Sequence, residues 1–114
     1  ANVADKTAKE KHGWSSYIDT QDRYASIAPV ASLKPNAFSL YDMSGNVWEW
    51  CEDKHANYGS QEEVDPCNQS GSGRVFRGGS WFSDGVRWLR SGYRYWDVAS
   101  GRNINLGARL FFRP

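Results

Sequence analysis

Residues 41–50, YDMSGNVWEW, put a glycine, two carboxylates and two tryptophans into ten positions of a 114-residue chain. A turn through Ser44, Gly45 and Asn46 runs into a stretch, residues 45–51 (GNVWEWC), that alternates in character. Alternation marks a strand, because successive side chains point to opposite faces. Val47, Glu49 and Cys51 then share one face, and the two tryptophans take the other. Asp42 and Glu49 flank the turn. A hard cation such as Ca²⁺ draws its oxygens from carboxylates, amides and main-chain carbonyls, and acids around a Gly turn suit that demand. The same two acids read equally well as solvated groups beside a loop.

The rest of the chain points to one domain, residues 1–114, with a small core. Aromatics make up 15% and glycine is frequent, while the mean hydropathy is −0.72. A core here is built from Trp, Tyr and Phe, whose polar edges need hydrogen-bond partners. That favours an irregular α+β domain held by turns and specific polar contacts. The net charge is +1 and the basic residues are scattered, which leaves no electrostatic footprint for nucleic acid or an anionic membrane. No apolar run is long enough to span a bilayer, so no membrane insertion is expected. Residues 1–12 are too polar for a signal peptide, so the signal of a secreted form would be removed or lie outside this chain.

Residues 4–13 (ADKTAKEKHG) predict a short surface helix with Asp5 near its start and Gly13 at its end. Residues 14–39 carry no sustained period and read as ordered loop. Residues 54–73 form a polar Gly/Ser-rich loop, the segment expected to move most. RVFRGGSW (74–81) predicts a strand broken at Gly-Gly, and 86–95 and 106–112 are further strand candidates. Cys51 and Cys67 could close a disulfide loop, worth about 3 kcal/mol by chain entropy, or remain two separate thiols. The two histidines, His12 and His55, lie far apart with no zinc-site spacing. No nucleophile motif or phosphate loop is present.

Three stretches taken together, APVASLKPNAFSLYDMSGNVWEWCED (28–53), RVFRGGSW (74–81) and RNINLGARL (102–110), resemble the C-terminal part of the formylglycine-generating enzyme (sulfatase-modifying factor) family. The resemblance runs over nearly the whole chain. It implies a C-type lectin-like fold with short antiparallel strands and little regular secondary structure. It also implies one or two structural Ca²⁺ ions. The first would be held by Asn2, Val3, Asp22 and Tyr24, the second by Asp42, Gly45, Val47 and Glu49.

The family's oxidase chemistry needs a cysteine pair shortly after the GGS[WY] motif, which binds copper. The corresponding segment here, FSDGVRWL (82–89), contains none. Ser83 cannot supply the soft thiolate that Cu(I) requires, so no copper is expected and the reading leans away from an enzyme.

Within the family, the resemblance extends to the variable proteins of diversity-generating retroelements, which randomise surface positions between RGGSW and the last strand. Arg90, Ser91, Arg94 and Arg102 stand where framework residues belong. The expected ligand-binding set is Phe82, Ser83, Asp84, Trp88, Tyr93, Tyr95, Trp96, Asp97, Asn103 and Asn105. Trp88 and Trp96 depart from the pattern, because a mutated Asn codon does not become Trp. Large rings with adaptable Ser, Asn and Asp groups suit a binding face; the same rings could instead be packing. No catalytic residues are assigned. The expected function is non-catalytic recognition of a protein or glycan on a cell or phage surface, by a secreted, cell-surface or virion-associated domain. The alternative is a divergent or fragmentary formylglycine-generating-type oxidoreductase.

Overall fold

A computed structural model describes residues 1–61, 66–110 and 112. The chain opens with helix α1, Lys6–His12. Asp5 caps it, its Oδ1 accepting from the Ala8 N–H at 3.1 Å, which satisfies one of the free donors of the first turn. Gly13 ends it in the left-handed conformation and donates to the Lys9 carbonyl at 2.8 Å. Lys9, Lys11 and His12 gather at the negative end of the helix dipole, and Ala8 turns inward and is buried.

Four strands follow among the described residues: β1 (Trp48–Lys54), β2 (Gly73–Arg77), β3 (Tyr95–Val98) and β4 (Leu106–Gly107). They form one mixed sheet in the order β3-β2-β1-β4. β1 runs antiparallel to β2 with Trp50 opposite Phe76, and parallel to β4 with Trp48 opposite Leu106. β2 runs antiparallel to β3, pairing Phe76 with Tyr95 and Val75 with Trp96. Trp48 and Trp50 both meet the Phe76 ring at steep angles, with centroids 5.5 and 5.2 Å away. The tryptophans of YDMSGNVWEW thus share a face, as the alternation requires.

Two expectations need correction. Residues 86–95 are not a strand: Val86–Leu89 wind as a 3-10 turn, and extended structure begins only at Tyr95. The cause is a local hydrogen bond, Trp88 Nε1 to Asp84 Oδ1 at 3.1 Å, which joins residues four apart. That spacing brings side chains together in a helical turn and separates them in a strand. Of 106–112, only Leu106–Gly107 is strand, and position 111 lies outside the described residues. The Gly-Gly break is present as expected. Gly78 and Gly79 take φ values of 94° and 73°, which end β2 and turn the chain back.

The buried apolar set is small: Val3, Ala4, Ala8, Ala28, Val75, Phe76 and Trp81. A polar hub supplements it. Asn46 is 4% exposed, sits at φ 67° and ties three segments together. Its N–H donates to the Asn2 carbonyl at 2.7 Å, and its carbonyl accepts from the Trp81 N–H at 2.8 Å. Its Oδ1 accepts from the Ala28 N–H and from Asn2 Nδ2, and its Nδ2 donates to the Ala28 carbonyl. A buried amide with every polar atom engaged fixes geometry that a few aliphatic contacts would leave loose. Cys51 and Cys67 are free thiols.

Candidate functional site

A cavity of about 400 Å³ opens where β3, the 3-10 turn and the approach to β4 converge. Nine of the ten residues expected to bind ligand line it: Phe82, Ser83, Asp84, Trp88, Tyr93, Tyr95, Asp97, Asn103 and Asn105. The tenth, Trp96, does not. Strand alternation explains the split, since Tyr95 and Asp97 face the cavity and the residue between them must face away. Trp96 stacks instead on His55 at 5.1 Å, and its ring lies directly over Gly73.

The lining residues are held in different ways. Trp88 is fixed by Asp84 and meets Tyr93 edge-on, with centroids 5.0 Å apart. Burial pushes the Tyr93 hydroxyl above its ordinary pKa, Tyr95 adds to the rise, and Arg87 opposes it. Asn105 donates to Ser80 Oγ at 3.1 Å, and its carbonyl accepts the Trp48 N–H that starts the β1–β4 pairing. Ser83 is 5% exposed and committed to the turn: its Oγ accepts the Ser80 N–H and its carbonyl accepts the Ala4 N–H. It lines the cavity while acting as a fastening.

Trp48, Phe76, Ser80 and Leu106 also line the cavity and were not expected to. Trp48 and Phe76 signal only hydrophobic strand in the sequence, and the fold alone shows that each packs on the core while presenting surface to the cavity. Trp14 is a further addition, stacking on Trp81 and meeting Phe82 edge-on.

The first expected cation set gathers at the start of the chain. Asn2 is 1% exposed, and its Nδ2 donates to the Ser26 carbonyl and to Asn46 Oδ1. Two acceptors on that nitrogen fix the amide orientation. Asn2 Oδ1 is buried with no hydrogen-bond partner among the described residues. Asp22 accepts the Val3 N–H at 3.0 Å and the Tyr24 N–H at 2.9 Å. Burial raises its carboxyl pKa above the usual range against these two hydrogen bonds, and nearby Asp5 adds to the rise. Asp5, unremarked in the sequence beyond its capping role, also accepts the Asp22 N–H. An unsatisfied amide oxygen, one residue before the N–H that part-buried Asp22 holds, with the buried Asp5 next to Asp22, is a donor set that suits a hard cation.

The second set is arranged differently. Asp42 and Glu49 line one pocket with Val47, yet Arg109 lines it too. Arg109 donates through Nε to Glu49 Oε2 at 2.9 Å and through Nη2 to Oε1 at 2.7 Å. Its Nη2 also reaches the Tyr41 carbonyl at 2.8 Å. Asp42 Oδ2 accepts the Ala31 N–H. Gly45 is buried elsewhere, bridging to Asn2. A guanidinium therefore holds both oxygens of the main anionic donor, and this set does not fit a metal ion. Among the described residues, no three His, Cys, Asp or Glu side chains come together.

Residues 1–113 match the sulfatase-modifying factor enzyme 1-like domain. The chain belongs to that family. Among relatives of this sulfatase-modifying factor domain, the formylglycine-generating enzyme of Thermomonospora curvata is 41% identical over 66 residues, 53% of this chain and 22% of the relative. That of Streptomyces coelicolor is 44% identical over 64 residues, 54% of this chain and 20% of the relative. The chain thus spans about a fifth of the length of these curated relatives. Among solved structures, Treponema denticola variable protein 1 superposes with a TM-score of 0.66 at 37% identity, covering 74% of this chain and 31% of that one. The fold is accordingly the C-type lectin-like type, α+β with one α-helix among the described residues and a curled mixed sheet. The likeness supports a ligand-binding scaffold.

Proposed function

We propose that this domain is a non-catalytic recognition module that binds a protein or glycan through the face built from residues 82–105. The observation that carries the reading is the convergence of nine of the ten residues of the expected ligand-binding set on one cavity of about 400 Å³, a size and aromatic character typical of ligand sites. Likeness to a protein named for its variability supports a further element: the face is one that retroelement-driven mutation diversifies. The scaffold beneath it takes one Ca²⁺ at Asn2, Val3, Asp22 and Tyr24, supported by the unpartnered Asn2 Oδ1 and the burial of Asp22. The ion would supply structural cross-linking of the chain start to the loop at 22–24 and no chemistry.

A second reading, a formylglycine-generating-type oxidoreductase, is favoured by the identity to the two bacterial enzymes. It is opposed by the lack of cysteine in residues 82–89. Comparing sibling sequences from one genome tests the first reading. Variation confined to the cavity positions is the expected result; variation spread over the scaffold, or conversion of a cysteine-containing sulfatase peptide by the purified domain, overturns it.

A further inference from the structure

We infer that the occupant of this cavity is a basic side chain, arginine or lysine, presented by a protein partner. The inference rests on the binding-face reading and narrows its choice of ligand. The cavity carries two carboxylates, Asp84 and Asp97, and among the described residues no Lys, Arg or His lines it, although the chain as a whole has a net charge of +1. Neither carboxylate has an ion-pair partner among the described residues, where the only salt bridges are Lys6–Asp19 and Arg109–Glu49. Each has one oxygen engaged locally. Asp84 Oδ1 accepts from Trp88 Nε1, and Asp97 Oδ1 accepts from the Val98 N–H. One oxygen on each is left for a ligand.

The walls agree with the charge. A cation is attracted to the face of an aromatic ring, and an arginine or lysine stem lies well along apolar surface. The rings do not form a flat platform. Trp48 is inclined to Tyr93 by 41° and to Phe76 by 67°, and Trp88 stands to Tyr93 at 88°. Inclined rings enclose a compact group from several sides, whereas a sugar ring stacks on a broad exposed plane. Trp88 already accepts one guanidinium, since the Arg87 carbon lies 4.2 Å from its ring centroid. A partner's guanidinium would repeat that contact on the cavity side, with the carboxylates neutralising it. Arg87 stands outside the lining, so an anionic glycan would meet two carboxylates that have no ion-pair partner among the described residues.

The test is a titration of the folded domain, followed through the indole and backbone N–H resonances of the cavity. The probes are doubly capped arginine and lysine, capped citrulline as the uncharged isostere of arginine, and neutral methyl glycosides. The expected result is saturable shifts at Trp88 and Tyr95 with the charged probes, at least tenfold weaker binding of citrulline, and weaker binding at higher salt. Asp84→Asn and Asp97→Asn keep the local hydrogen-bond acceptor and remove the charge, so each should weaken the charged probes severalfold while the spectrum stays folded. Equal affinity for arginine and citrulline overturns the inference and leaves the binding face intact, as does preferential binding of a glycoside. No cavity shift with any probe up to about 10 mM, a level that registers even millimolar affinity, overturns both.

Discussion

Arg109 grips Glu49 through two parallel hydrogen bonds, at 2.9 and 2.7 Å, across 60 residues of sequence. This fork puts a fixed positive charge where the family resemblance implies a second Ca²⁺. Calorimetric titration should therefore find one Ca²⁺ per chain. Arg109→Gln should lower stability by about 1 kcal/mol, since the pair is partly exposed and screened, and should open a second, weaker calcium site. Two equivalents in the parent domain would remove this account of the pair.

At the first set, calcium should raise the melting temperature and chelator should lower it, because an ion that binds only the native state stabilises it by mass action. Asn2→Ala should abolish the difference between the two conditions. It should also cost about 2 kcal/mol in chelator alone, through loss of one buried and one part-buried hydrogen bond. A calcium response that survives in Asn2→Ala would exclude Asn2 as a ligand.

Gly45 sits at φ 85°, and a Cβ there would run into the backbone carbonyl of Asn2. The bridge between Asn2 and Gly45 brings the chain start against the turn, so neither side can yield cheaply. Gly45→Ala should destabilise by about 3 kcal/mol or more, read from urea unfolding. A loss below about 1 kcal/mol would show that the bridge is dispensable.

Tyr95 and Trp96 adjoin in sequence and part in space, one lining the cavity and the other lying over Gly73. Tyr95→Ala should remove probe binding and leave the unfolding midpoint nearly unchanged. Trp96→Ala should leave binding intact and cost about 1–2 kcal/mol, because its ring is only part-buried. The reverse pattern would reverse the facing of β3.

Burial pushes the Cys51 thiol above its ordinary pKa of 9.0, with Arg77 opposing and Asp53 and Glu49 adding to the rise. The folded state favours the protonated thiol, so this stabilisation is complete below pH 9 and fades as pH climbs through the folded value. The labelling rate of Cys51 by a thiol reagent should keep rising beyond pH 9, since the thiolate is the reactive form. A plateau below pH 9 would contradict the environment described.

Local signals in the sequence foretold local structure. The Asp5 cap, the Gly13 stop and the Gly78-Gly79 break each act over a few residues, and each could be read without knowing the fold. The alternating stretch begins at residue 45, whereas β1 starts at Trp48, because Asn46 takes a left-handed turn to reach Ala28 and Asn2. Residues 86–89 carry the Val and Trp that suit a strand, yet they wind into a 3-10 turn beside the Asp84–Trp88 hydrogen bond. Arg109 was invisible as a partner of Glu49, since nothing local links positions so far apart. The cavity positions were legible only through resemblance, because exposed Tyr, Asp and Asn have no periodic signature of their own.

β3 is an edge strand whose four residues are all exposed and whose backbone, among the described residues, pairs only with β2. Main-chain pairing is indifferent to the side chains it carries, so positions 95 and 97 can be rewritten without moving the strand. Position 96 is not so free, because its ring covers Gly73. Evolution of a new specificity on this strand would therefore proceed in steps of two, every second residue open to change and the one between held by the fold.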